Sequence, residues 1–157
     1  VPGSGVIEYA FTPGDDAAGL VVRAIRSARH AVYVQAFSFT HKDIAQALID
    51  AHQRGLDVEV IADASQIELI EHNVIPMLSK AGVPVVVDAQ HASAHNKVMI
   101  IDPDAVHPAV VTGSFNFTFA AQYRNAENVL VLRGNPELAR AYQENWRRHR
   151  SHASSFK

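Results

Sequence analysis

Cysteine is absent from the 157-residue chain. Disulfides, thiolate nucleophiles and cysteine-ligated zinc are therefore excluded, which is compatible with an oxidising compartment without requiring one. No apolar run reaches the roughly 20 residues that span a bilayer, and no charged-then-apolar leader opens the chain. The expectation is a soluble protein without an anchor, a retained signal peptide or stable membrane association. The first residue is Val1 rather than methionine, which fits either a processed exported protein or a trimmed chain. An overall cationic excess is also missing. Net charge is −2 at pH 7, a weak basis for binding nucleic acid, whose affinity is largely electrostatic. No repeat, linker or low-complexity tract interrupts the sequence, and no helix-turn-helix or zinc-finger pattern is present to read bases.

What is present is enough apolar material for one real core, 48% of residues, and a single domain over 1–157 is expected. Basic residues are gathered rather than spread. Arg23, Arg26 and Arg29 share one side of an expected helix, and six Lys/Arg face two Glu between Arg133 and Lys157. A solvated helix face is the ordinary explanation of either patch, and a phosphate-backbone contact is the functional one.

Hydrophobic periodicity organises the first half. "GVIEYAF" reads as a strand and "DDAAGLVVRAIRSAR" as an amphipathic helix. "AVYVQAF" is a second strand. "THKDIAQALIDAHQRG" is a helix with Thr40 as N-cap and Gly55 as its stop. After the strand "LDVEVIAD", "SQIELIEHNVIPMLSKAG" is helical with a kink or break at Pro76, and "VPVVVDA" is again a strand. Asp63 is expected to cap the helix that follows it. This β-α-β-α-β-α-β order argues for an α/β fold: a mixed, largely parallel β-sheet sandwiched between helices. The rhythm then changes. "NKVMIID" and "HPAVVTGS" form a hairpin turning at "DPDAV", "NAENVLVLR" is a third strand, and Asn135 with Pro136 starts a last helix whose Leu138, Tyr142, Trp146 and His149 share a stripe.

Chemistry concentrates in the hairpin. Side chains alternate along a strand, so His95 and Lys97 point the same way and Asp102 points the other way. On the facing strand, Ser114 and Asn116 share a face beside Gly113, which admits close backbone approach. Glu127, at the edge of the next strand, is a carboxylate able to take a proton from histidine Nδ1 and hold Nε2 toward a substrate. Each residue has an ordinary alternative: a structural histidine, a snorkelling lysine, a plain turn. His91 and His95 are spaced i, i+4, but the segment reads as loop entering strand and no carboxylate-rich companion is evident nearby, so no metal site is expected. His41 and His52 read as exposed helix-end residues.

The joint pattern H-x-K-x-x-x-x-D followed by G-S-x-x resembles the signature of the phospholipase D superfamily. "AFSFT", "ALIDAHQRGLDVEVIAD", "HNKVMIID", "TGSFNFT" and "NAENVLVL" resemble, in order, the segments of its small bacterial EDTA-resistant endonucleases. One departure is the longer "PDAVHPAVVT" connection. The resemblance implies a phospholipase D-like fold, His95 as nucleophile or acid, and Lys97, Ser114 and Asn116 as phosphate donors. It also implies that Glu127 orients His95, that Asp102 is structural, and that no metal or other cofactor is needed. The expected partner is nucleic acid, DNA first and RNA second, and the expected location is periplasmic or secreted. A lipid phosphodiesterase and a catalytically silent nucleic-acid-binding domain are the alternatives. Phosphohistidine chemistry needs a second imidazole to protonate the leaving oxygen. The motif occurs once, so a twofold homodimer with His95 and Lys97 of both chains at the axis is expected.

Overall fold

The computed structural model describes residues 5–157; Val1, on which the processing expectation rests, lies outside them. Eight strands form one sheet in the order β1-β7-β6-β5-β2-β3-β4-β8. In chain order the elements are β1 (Val6–Thr12), α1 (Ala17–Arg26), β2 (Ala31–Ala36), α2 (Lys42–Gln53), β3 (Asp57–Asp63), α3 (Ala64–Leu69) and α4 (Ile75–Lys80). They continue with β4 (Val85–Asp88), β5 (Lys97–Ile101), β6 (Ala109–Gly113), α5 (Phe119–Tyr123), β7 (Glu127–Arg133), α6 (Pro136–His152) and β8 (Ser154–Ser155).

The sheet is mixed and lies between helices, as expected, but its parallel share is small. Only β2–β3 and β3–β4 pair in parallel; the remaining neighbours are antiparallel. The physical reason is the connections. Parallel pairing needs a crossover, usually a helix, and the segment from Asp88 to Lys97 contains none. β5 therefore runs back antiparallel beside β2, and β6 and β7 follow as a meander. β8, which periodicity could not show in so short a segment, pairs with β4 at the other edge.

The main core lies between one sheet face and α1, α2 and α4, with Val21, Ile25, Ile44, Leu48, Ile75 and Leu78 fully buried. Each such side chain contributes roughly 1.5–3 kcal/mol of burial. A second, smaller core on the opposite face joins Ile61, Val86, Val98 and Ile100 to Trp146 of α6, whose indole N–H donates to the Val34 carbonyl at 3.0 Å. α6 packs over β2, β4, β5 and β6. Beyond its reach on that face, β1 exposes Ile7, Tyr9 and Phe11, opposite Leu132, Leu130 and Asn128 of β7.

Several local expectations shift by a residue or two. Asp16 caps α1, and Arg29 falls beyond the helix end. Residue His41, not Thr40, occupies the N-cap of α2, without a side-chain bond. Its imidazole is half-buried rather than exposed, and burial pushes its pKa down. Pro76 sits in the first turn of α4, so the predicted single helix is two, α3 and α4. The buried stripe of α6 is Ala139, Gln143 and Trp146. The long connection lies in the 102–108 turn, with Ile101 facing Ala109, so the extra residues sit at the hairpin end remote from Lys97.

Candidate active site

β2, β3 and β4 end where β5 begins, β6 ends and β7 begins, and a cleft of about 400 Å³ opens along this sheet end. His95, Lys97, Ser114, Asn116 and Glu127 all line it. Five side chains from three strands and their flanking loops meet because the β5–β6–β7 meander places the start of one strand beside the end of the next.

Lys97 is a buried residue whose ammonium reaches the cleft. It lies 2.7 Å from His95 Nδ1 and 3.2 Å from Nε2, and donates to the His95 carbonyl at 2.6 Å. Burial pushes the Lys97 pKa below its ordinary value, and the Glu127 carboxylate pulls it partly back. The imidazole of His95 packs against the Phe37 ring, centroids 4.3 Å apart, and the Lys97 ammonium lies 5.1 Å from that ring's centroid. Phe37 thus holds both groups, through a tilted ring–ring contact at 50° and a cation–π contact. Its place in "AFSFT", just beyond β2, is the only signal of this role in the sequence.

Facing them, the Ser114 hydroxyl accepts from the Asn128 backbone N–H at 3.0 Å, which leaves its own proton to donate. The Asn116 amide oxygen accepts weakly from Ser38 N–H at 3.4 Å, leaving its amide nitrogen as a donor. Gly113 has φ +148°, and a Cβ there would meet the Asn128 carbonyl oxygen at 2.3 Å. Only glycine lets β6 and β7 come this close. Glu127 lies in the same cleft, but among the described residues its carboxylate accepts only from Asn125, at 3.4 Å. No hydrogen bond joins it to His95 within the chain. The cleft therefore offers an imidazole, one cation, two neutral donors and the Glu127 carboxylate, a set suited to a phosphodiester.

Asp102 is at the opposite end of β5, five residues and so about 17 Å of strand from Lys97. Its carboxylate accepts three backbone N–H groups, from Arg29 at 2.9 Å, His30 at 2.7 Å and Ala31 at 2.9 Å. It ties the start of β2 to the end of β5. The chain between Asp88 and His95 is held from below. Asp63 caps α3 at Gln66 N–H and also accepts from Ala94 N–H at 2.6 Å, so it is both a cap and a support for the residue next to His95. His91 does not face His95. It turns to Asp88, His149 and His152, a grouping that sequence separation conceals. In the basic tail, Arg150 pairs with Glu59 and Arg133 with Glu8, leaving Arg140, Arg147 and Arg148 exposed.

Residues 21–150 match the family described as cardiolipin synthase, PLD-like domain. The chain belongs to that family and is a phosphodiester hydrolase of the phospholipase D superfamily. It is similar to the phospholipase D of Rickettsia bellii (strain RML369-C), 39% identical over 140 residues, covering 89% of this chain and 67% of that one. It is 32% identical over 135 residues to the mitochondrial cardiolipin hydrolase of Homo sapiens, covering 86% and 51%. The chain thus spans about two thirds of the Rickettsia relative and half of the cardiolipin hydrolase. Among solved structures, Nuc from Salmonella typhimurium, a phospholipase D family member, has TM-score 0.89 at 33% identity, covering 97% of this chain and 98% of that one. NucT from Helicobacter pylori has TM-score 0.83 at 25% identity, covering 96% and 100%.

Proposed function

We propose that the protein is a metal-independent endonuclease that hydrolyses DNA, with RNA as a second substrate, through a phosphohistidine on His95. The observation that carries this reading is the cleft itself, in which the His95 imidazole, the Lys97 ammonium and the Ser114 and Asn116 donors converge on one open volume. The likeness to Nuc and NucT over nearly their whole lengths favours nucleic acid over lipid. No helix among the described residues is long and apolar enough to cross a membrane.

The neutral imidazole of His95 attacks phosphorus, a P–N bond forms, and the P–O bond to the departing sugar breaks as a second imidazole, in its protonated form, gives that oxygen a proton. Water, deprotonated by the second imidazole, then attacks phosphorus and the P–N bond breaks. Lys97, Ser114 and Asn116 hold the nonbridging oxygens as charge builds on them. Two displacements give retention at phosphorus.

The second imidazole comes, in this reading, from a second copy of the chain. Two features support it. Among the described residues His95 has no carboxylate partner and Glu127 no imidazole partner, although both line one cleft. Pairing across a twofold axis would satisfy both. The apolar strip of Ile7, Tyr9 and Phe11, 51%, 65% and 58% exposed, is left uncovered by α6 and is suited to an isologous contact. We place the enzyme in the periplasm or outside the cell.

Plasmid DNA, RNA and phosphatidylcholine vesicles, each assayed with excess EDTA at a temperature where the chain stays folded, test the proposal. Nicking of the plasmid that survives chelation and weakens steeply with salt is expected. Choline release without nicking would favour the lipid reading suggested by the names of the Rickettsia and mitochondrial relatives. Complete loss of nicking in EDTA while the circular dichroism spectrum and melting temperature stay unchanged would overturn the mechanism.

A further inference from the structure

Outside the catalytic cleft, Asp88, His91, His149 and His152 bring four ligand atoms within 4.8 Å of one another. Three imidazole nitrogens converge on a single carboxylate oxygen: His91 Nδ1 at 2.9 Å, His149 Nδ1 at 3.3 Å and His152 Nε2 at 3.3 Å from Asp88 Oδ2. That oxygen has only about two lone-pair sites for three ring donors. The other oxygen, Oδ1, already accepts from the backbone N–H groups of Gln90 at 3.0 Å and His91 at 3.4 Å. Asp88 has no solvent exposure, and a buried carboxylate is stable only when paired or bound to a cation.

The three separations from Asp88 Oδ2 are those of a coordination sphere, and the imidazole nitrogens, within 4.8 Å of one another, need only small side-chain rotations to complete it. Four ligands at 2.0–2.1 Å from a tetrahedral zinc lie roughly 3.3 Å from each other, which the two α6 histidines match with respect to Asp88 Oδ2. We propose that Asp88, His91, His149 and His152 form a structural site for a divalent transition metal of the zinc class. Imidazole suits zinc, copper and nickel, whereas calcium and magnesium prefer oxygen. The Oδ1 contacts supply the outer-shell support that orients a ligating carboxylate. His91, with its side chain 45% exposed, leaves an entry path.

The position gives the metal a task. His149 and His152 are in the last turn of α6, just before β8 pairs with β4. Asp88 ends β4, and His91 begins the segment that leads to His95. A metal here fastens the C-terminal helix to the sheet edge and to the loop that presents the nucleophile, in a chain that has no disulfide to do so. The site is distinct from the phosphoryl chemistry, and the inference does not depend on the substrate.

The untagged chain, stripped with EDTA and dialysed into metal-free buffer, is equilibrated with zinc sulfate, desalted and analysed by plasma mass spectrometry. About one zinc per chain is expected for the wild type and for His95→Ala, and under a tenth of that for His149→Ala with His152→Ala. His149→Gln, a milder change, serves if the double variant does not fold. Zinc should raise the melting temperature of the wild type and of His95→Ala by several degrees and leave the His149 and His152 variants unmoved. Cobalt in place of zinc should give the intense visible bands of four-coordinate geometry. Equal zinc content in the wild type and the folded His149 and His152 variants, or a wild type that binds neither metal, would overturn the site.

Discussion

Asp102→Ala removes an acceptor that three backbone N–H groups share at 2.9, 2.7 and 2.9 Å. The residue is 7% exposed, so water cannot simply replace the carboxylate. Stranding a buried donor costs about 1–3 kcal/mol, and the amides share one rigid turn, so their losses add incompletely. We expect about 3–6 kcal/mol in total, a large part of the roughly 5–15 kcal/mol that holds a domain together. Asp102→Asn keeps one oxygen with two lone pairs, enough for His30 and Ala31, but turns an amide N–H₂ toward Arg29 N–H. Its cost should be about 1–3 kcal/mol. Asp102 has φ +49°, a conformation that asparagine tolerates and alanine does not. Asp102→Gly separates the two effects: it relieves the backbone yet should remain close to alanine, because the hydrogen bonds dominate. Urea unfolding followed by circular dichroism measures the midpoint and slope. Turnover of the folded fraction on bis(p-nitrophenyl) phosphate should stay within about twofold, since no contact links Asp102 to the cleft and general acid–base losses are far larger, about 10²-fold or more. An alanine variant with the wild-type midpoint but no turnover would refute the structural role, and an asparagine variant as unstable as alanine would refute the lone-pair count.

The remaining predictions concern the cleft and the assembly. His95→Asn should lose at least about 10³-fold in turnover with the fold intact, and acid quenching of the wild type during turnover should trap an acid-labile phosphoryl group that maps to His95. Because the folded pKa of Lys97 lies below 10.5, its ammonium is lost at lower pH than an ordinary lysine's, so kcat/KM should fall early on the alkaline side. Glu127→Gln, which removes the charge that supports the ammonium, should shift that limb lower still. The same sign makes the buried cation a stability cost at neutral pH that fades as pH rises toward 10.5, so Lys97→Met should be inactive and more resistant to urea at pH 7. Light scattering should give twice the 17.1 kDa chain mass, and Phe11→Asp should yield inactive monomers; a fully active monomer would sink the shared site. Gly113→Ala should destabilise the β6–β7 pair, read as a lowered urea midpoint, because its Cβ has no space beside Asn128.

Periodicity and spacing determined much of this molecule directly. The elements of the first half follow from apolar residues at intervals of two or of three to four, which are local properties of the backbone. The grouping of His95 with Lys97, and of Ser114 with Asn116, follows from strand parity, and the family resemblance follows from their order along the chain. Other features required the tertiary structure. Pairing direction depends on connections, so the sheet turns from parallel to antiparallel where the helical crossovers stop, after Asp88. Phe37 is an unremarkable aromatic until β2 and β5 pair and set its ring against His95. Asp63 looks like a cap, which it is, and only folding brings Ala94 onto its second oxygen. Asp88 and His149 are 61 residues apart. No local rule relates them, because proximity at that separation is created only when α6 returns across the sheet and docks Trp146 against the smaller core.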